Sequence, residues 1–277
     1  MKWNYSQTNQ KGEKKMKLYQ INHLSKEISP PNLCTALGIN LSSNQTISFV
    51  GAGGKTTTIY TLAKELSSLG KKVIITTTTH MFLPEENGVF EENQEQLLHQ
   101  LNHSGIAVVG IPCTEEKSLG KMTGVSTAFY RDMKHAADYI LVEADGSKRY
   151  PIKVPAPHEP VLPEDTDMVV IVGGLSCLNQ PLKECCHRWE VASKLLDCEP
   201  DKGMESKDMA DLLVKGYFSK REECIALYNL PKKIYLNQCD SEEIYVKALE
   251  VIYYLDEQSI KPEHVTTGNF LEKPENS

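Results

Sequence analysis

The 277-residue chain has few aromatic residues, 7% with only two tryptophans and six phenylalanines, and it contains no CxxC pair. No apolar run approaches the ~18 residues that a bilayer-spanning helix needs, which excludes an integral helical membrane protein. An excess of positive charge is also missing: 30 Lys and Arg stand against 37 Asp and Glu, for a formal net charge of −7. That balance argues against nucleic acid or an anionic membrane surface as the main partner, while leaving room for a local basic pocket. There is no internal repeat and no low-complexity linker. What is present, 40% hydrophobic and 24% charged residues, is the composition of an ordinary globular protein long enough to bury a real core.

The opening MKWNYSQTNQKGEKKMK carries five lysines and one glutamate with no apolar h-region behind it, so it is not a secretory signal. Residues 1–18 are expected to form a disordered arm, with Met1 or Met16 as the native start. The end of the chain, 261–277, is expected as a C-terminal segment and tail. Eight cysteines (Cys34, Cys113, Cys177, Cys185, Cys186, Cys198, Cys224 and Cys239) are placed as in a reduced, cytoplasmic protein. The adjacent Cys185-Cys186 beside His187 has two readings, a metal or soft-anion site or buried structural thiols, and it lacks zinc-finger spacing.

Between the ends, short β-rich runs alternate with segments of helical period. The strand candidates are 46–51, 72–79, 105–111, 139–145, 167–174 and 233–240. Several are continuously apolar, which suits a parallel sheet covered on both faces. Helices are expected over 55–69, with Gly70 at the left-handed C-terminal position, and over 93–102 and 128–137. A last helix carries Ile244, Ala248, Leu249, Ile252 and Leu255 inward, with Asp240 and Glu243 as a capping pair. The alternation predicts a doubly wound α/β fold with a mostly parallel sheet, and the glycine loop at 49–58 makes it P-loop NTPase-like. One domain over 19–260 with a helical insertion at about 180–225 is the expected organisation.

The sharpest motif is FVGAGGKTTT at 49–58. Glycines let backbone N–H groups converge on an anion, and the helix N-terminus behind them adds partial positive charge. Gly51, Ala52, Gly53, Gly54, Lys55, Thr56 and Thr57 are the expected phosphate-binding residues, with Lys55 on the β- and γ-phosphates and the Thr56 hydroxyl on Mg²⁺. The common pattern has glycine where Phe49 stands, so this is a shortened loop, GxGGKT.

Four threonines, Thr76 to Thr79, and His80 follow the second core strand, where ligands of open parallel sheets bind; plain β-propensity explains them equally well. YILVEADGSKRY supplies acids: Glu143 and Asp145, two apart, project to one side of a strand end as a Walker-B position requires, and with Thr56 make the expected metal set. Lys148 follows the turn, and the proline-stiffened PIKVPAPHEPVLPED adds Lys153, His158 and Glu159. Lys55, Glu143, Asp145, Lys148, Lys153 and His158 are the expected catalytic residues, with Lys148 and Lys153 on developing phosphate charge or a second anion and His158 with Glu159 on a second substrate. LNQCD at 236–240 is similar to the NKxD guanine-reading element with Gln238 in place of lysine; Asn237 and Asp240 are the base-binding candidates, and Asp240 as a helix cap is the alternative.

GAGGKTT, the TTTT strand end, EADGSK and KVPAPHEP, in that order, resemble the YqeC-like proteins over about Leu37 to Leu255; HRWE at 187–190 and LNQCD fit the same pattern. The resemblance implies an accessory factor in maturation of a selenium-dependent molybdenum hydroxylase or its cofactor. The expected activity is Mg²⁺-dependent ATP or GTP hydrolysis, with a hydroxylase apoprotein or selenium donor as partner. An ATP-dependent ligase or transferase with a short P-loop, and a non-catalytic nucleotide-switched cofactor chaperone, are the alternatives.

Overall fold

Every residue of 73–77, 139–143 and 168–174 is buried, as expected of strands covered on both faces of a parallel sheet. The computed structural model describes residues 17–21, 27–115, 119–219 and 225–269. The arm up to residue 16, both candidate starts, Cys224 and the LEKPENS tail lie outside the described residues.

In chain order the strands are β1 (Lys17–Ile21), β2 (Glu27–Ile28), β3 (Gln45–Gly51), β4 (Val73–Thr77), β5 (His80–Phe82), β6 (Gly88–Val89), β7 (Ile106–Val109), β8 (Ile111–Pro112), β9 (Lys121–Thr123), β10 (Tyr139–Glu143), β11 (Ile152–Lys153), β12 (Met168–Gly174), β13 (Cys186–His187), β14 (Lys232–Asn237) and β15 (Val265–Asn269). The helices are α1 (Leu33–Leu37), α2 (Lys55–Ser68), α3 (Gln94–Ser104), α4 (Thr127–Ala136), α5 (Leu182–Cys185), α6 (Trp189–Leu196), α7 (Ser206–Tyr217), α8 (Ile225–Asn229) and α9 (Glu242–Glu257).

Ten strands form one sheet in the order β2-β1-β15-β14-β12-β3-β10-β4-β7-β6. All pairs from β15 to β6 are parallel, and only β1 and β2 run antiparallel at one edge. The mostly parallel α/β fold is therefore present. Because side chains alternate along a strand, neighbouring residues serve opposite layers. Phe49, Ile75 and Leu141 join Ile59, Leu62 and Leu66 of α2 and Leu33 and Leu37 of α1. Val50, Ile74 and Val142 join Leu97, Met133, Leu213 and Ile252 on the other face.

The structure corrects three boundaries. Leu18 and Val265, 1% and 0% exposed, are core residues of β1 and β15, which pair with each other, so the domain limits expected after residues 18 and 260 cut through the sheet. The lysine-rich start and short KLYQI run hid this edge. The helices between 180 and 225 are the crossover from β12 to its parallel neighbour β14, with α7 packed on α9 and on β12, rather than an insertion beside the sheet. Ser241, not Asp240, caps α9: its hydroxyl accepts from the Ile244 N–H at 3.2 Å.

Candidate phosphate and metal site

β3 leads into α2 through a loop in which Gly51, Gly53 and Gly54 have φ of +94°, +78° and +112°. A Cβ at Gly53 would lie 2.3 Å from the Gly174 nitrogen, and one at Gly54 2.3 Å from Asn237 Nδ2. Both the backbone angle and the close approach therefore require glycine. Gly54 is the N-cap of α2 and supplies no side chain, so the first-turn N–H groups of the helix are uncapped. Uncapped amides at a helix N-terminus bind anions.

The rest of the loop differs from expectation. The Gly51 N–H donates to Asp145 Oδ2 at 3.0 Å, Ala52 to the Val172 carbonyl at 2.9 Å and Gly53 to the Tyr150 carbonyl at 3.0 Å. These three amides brace the loop against β10, β12 and the turn after β10 instead of facing an anion. Among the described residues, this leaves the N–H groups of Gly54 and the first turn of α2 as the candidate anion face.

Asp145 is wholly buried and is the hub of an ion-pair chain. Lys55 Nζ lies 3.0 Å from Asp145 Oδ1 and donates to the Gly51 carbonyl at 2.6 Å. Lys153 Nζ lies 3.1 Å from Asp145 Oδ2 and 2.8 Å from Glu159 Oε2. The Arg188 guanidinium closes on Glu159 with both ends, Nη1 to Oε2 at 2.9 Å and Nη2 to Oε1 at 3.2 Å. Tyr217 Oη donates to Asp145 Oδ2 at 3.3 Å. Charges thus alternate from Lys55 through Asp145, Lys153 and Glu159 to Arg188, and each buried group has an opposite partner. Burial works against ionised Glu159, but Lys153, the Ala156 N–H and Arg188 hold its pKa down to about 2. Of the metal set expected from Thr56, Glu143 and Asp145, the structure brings Thr56 and Glu143 into contact, whereas Asp145 pairs with Lys55 through Oδ1 and with Lys153 through Oδ2, its buried Oδ1 accepting no hydrogen bond among the described residues.

Glu143 ends β10 and accepts from Thr56 Oγ1 at 2.8 Å. Burial pushes its pKa up, against the lowering influence of Lys55 and the Thr56 hydroxyl. A hydroxyl and a carboxylate in contact, next to an anion-binding helix end, fit Mg²⁺, which takes one or two protein oxygens and completes its shell with phosphate oxygens and water. Among the described residues there is no cluster of three or more His, Cys, Asp or Glu that could hold a metal by itself. Cys185 and Cys186 are core thiols whose pKa values burial raises to about 11 and 12, which favours the buried structural reading of that pair.

The site opens into a cleft of about 780 Å³ that includes Gly54, Lys55, Thr56, Glu143, Lys148 and Glu159 in its walls. Thr79 and His80 stand at its side, whereas Thr76, Thr77 and Thr78 spend their hydroxyls on the carbonyls of Val109, Glu143 and Val161. His158 is exposed and does not line the cleft, so the structure separates it from Glu159, with which it is expected to act on a second substrate. The proline run turns it outward while placing Glu159 inward. Asp240 is likewise exposed and outside the cleft; Gln238 lines it, with φ of +66°. Asn237 donates from Nδ2 to the Gly53 carbonyl at 2.7 Å, so the LNQ segment props the loop. Residues missed from the sequence are Phe82, Lys121, Arg149, Tyr150, Arg188 and Tyr217. Arg149 and Tyr150 lie in YILVEADGSKRY and Arg188 in HRWE, whereas Phe82, Lys121 and Tyr217 come from segments with no motif of their own.

The family model for the YqeC protein matches residues 47–190, the stretch holding the loop, Glu143, Asp145, Lys153, Glu159 and Arg188. The uncharacterized protein YqeC of Escherichia coli (strain K12) is 34% identical over 189 residues, covering 65% of this chain and 72% of that one. Among solved structures, FtsY from Mycoplasma mycoides has a TM-score of 0.38 and 11% identity over 79% of this chain, which spans 60% of the FtsY chain. A GTPase in apo form from Pyrococcus abyssi has a TM-score of 0.29 and 16% identity over 79% of each chain. Similarity at that level carries no argument about activity. Sequence similarity over most of its sheet and the whole loop-and-carboxylate site makes this chain a member of the YqeC family.

Proposed function

We propose that the chain binds a nucleoside triphosphate with Mg²⁺ and hydrolyses it. It would serve as a cytoplasmic accessory factor in maturation of a selenium-dependent molybdenum hydroxylase or its cofactor. The observation that supports this reading most directly is the uncapped first turn of α2 lying beside the Thr56–Glu143 contact. The N–H groups of Gly54 and that turn bind the phosphates. Lys55 exchanges the Gly51 carbonyl for a phosphate oxygen while Asp145 keeps its charge paired. Thr56 and Glu143 would hold Mg²⁺, which would neutralise phosphate charge there. Lys148, in the cleft wall, faces charge developing at the far phosphate.

The test is calorimetry of ATP and GTP, each with Mg²⁺, on the full chain and on Lys55→Ala, alongside phosphate release. Binding that is equally tight in the variant overturns the assignment.

A nucleotide-switched reading is favoured by one observation. The ion-pair chain from Lys55 ends on Arg188, the residue that opens α6, so a shift of Lys55 toward phosphate is felt 133 positions away in sequence. Release of phosphate that depends on a protein partner, rather than on a small cosubstrate, distinguishes it.

A further inference from the structure

The mouth of the cleft has its own chemistry. β5 and β9 pair antiparallel so that Phe82 lies directly opposite Lys121. Lys121 Nζ sits 5.5 Å from the Phe82 ring centroid, and Arg149, arriving from the turn after β10, places its Cζ 5.0 Å from the same centroid. The ring remains 52% exposed. Two unconnected segments thus bring cations to one aromatic side chain at the edge of the cleft.

Lys148 and Arg149 occupy consecutive left-handed backbone positions, φ of +49° and +66°, although neither is glycine. Such a conformation persists only where surrounding structure enforces it, and it is concentrated at ligand sites. Among the described residues, Lys121, Lys148 and Arg149 form no ion pair with a carboxylate. The two glutamates of the cleft wall are already engaged, Glu143 by Thr56 and Glu159 by Lys153 and Arg188. In a chain of net charge −7, this is a local concentration of unneutralised positive charge. The nearby His187 reports the same field: burial first, then Arg188, Lys153 and Lys148, lower its pKa to about 4.

The triphosphate and its Mg²⁺ are accounted for by the α2 end, Lys55, Thr56, Glu143 and, at the far phosphate, Lys148. We infer that Lys121 and Arg149, beside Phe82, form a second oxyanion subsite that takes the phosphate or carboxylate group of a small-molecule cosubstrate. The cosubstrate role rests on the nucleotide reading, whereas the oxyanion site does not. The cleft, about 780 Å³, runs from the α2 end to Phe82, Lys121 and Arg149.

The experiment loads the full chain with Mg²⁺ and a non-hydrolysable triphosphate, then titrates pyrophosphate or succinate by calorimetry. Binding of either to the loaded protein is expected, and which of the two binds distinguishes a phosphate from a carboxylate ligand. The double variant Lys121→Gln/Arg149→Gln is expected to weaken that binding tenfold or more, with nucleotide affinity within twofold and an unchanged thermal transition. No binding of either anion to the loaded wild type, displacement of nucleotide by the anion, or equal anion affinity in the double variant overturns the inference. If no nucleotide binds, the nucleotide reading fails separately, and pyrophosphate is titrated into the unloaded chain. Weakening by the double variant there still supports the mouth subsite, and unchanged affinity overturns it. Should the double variant lose its thermal transition, Arg149→Lys and Lys121→Arg singly keep the charge and are expected to keep binding; its loss in both overturns the assignment.

Discussion

Lys55 and Asp145 meet at 3.0 Å with both side chains buried, and the same carboxylate also accepts the Gly51 N–H of the loop that carries the lysine. The aspartate therefore fixes the loop and its charge together. Lys153 on the other oxygen completes the compensation.

Asp145→Asn removes the charge facing two buried lysines. Breaking one partner of a buried pair leaves an uncompensated charge, so a loss of about 3 kcal/mol or more in unfolding free energy is expected, read from urea denaturation. A loss below about 1 kcal/mol, the range of exposed pairs, refutes the hub role.

Lys55→Ala removes the charge-assisted contact to phosphate. Triphosphate affinity is expected to fall by about 2 kcal/mol, roughly 30-fold, measured by calorimetry in the presence of Mg²⁺.

Gly54→Ala forces a non-glycine residue to a φ of +112° and drives its Cβ to 2.3 Å from Asn237 Nδ2. A loss exceeding about 1 kcal/mol in stability and loss of nucleotide binding are expected together, by denaturation and calorimetry on one preparation.

Glu159 and Glu143 give opposite pH dependences. The Glu159 pKa is depressed in the folded state, from 4.5 to about 2, so its stabilising contribution is complete above the unfolded value and is lost as pH falls from 4.5 toward 2. Glu159→Gln is expected to flatten the acid limb of stability over that window. Glu143 is shifted up by burial, so the folded state holds its proton more firmly than the unfolded one, and its contribution to stability declines as pH rises through the shifted value. Because Mg²⁺ needs the carboxylate, metal-dependent nucleotide affinity is expected to rise with pH over the same range. Glu143→Gln should abolish that rise while raising stability above it, as seen in paired pH series of calorimetry and thermal melts.

The local parts of the site were legible in the sequence. The loop could be read because strand, glycines, lysine and helix are contiguous, and positive φ with close approach is a property of a few adjacent residues. The parallel sheet was legible for a similar reason: buried strands such as 139–143 are apolar throughout. Glu143 and Asp145 were found but given one role. The strand ends at Glu143, and beyond it Asp145 meets partners from three other segments: Lys55, Lys153 and Tyr217. Likewise His158 and Glu159 are adjacent in sequence, yet one is exposed and the other paired with Lys153 and Arg188.

The sequence by itself determined that a strand and an amphipathic helix would be joined by a glycine loop, since backbone angles and helix period act over a few residues. Tertiary structure alone decided which carboxylate pairs with lysines and which meets the Thr56 hydroxyl. It also placed the first and last described strands side by side and brought Lys121 and Arg149 to Phe82. Charge pairing in a buried site depends on distance through space, and the partners of Asp145 lie up to 94 positions away along the chain, where no local pattern records them.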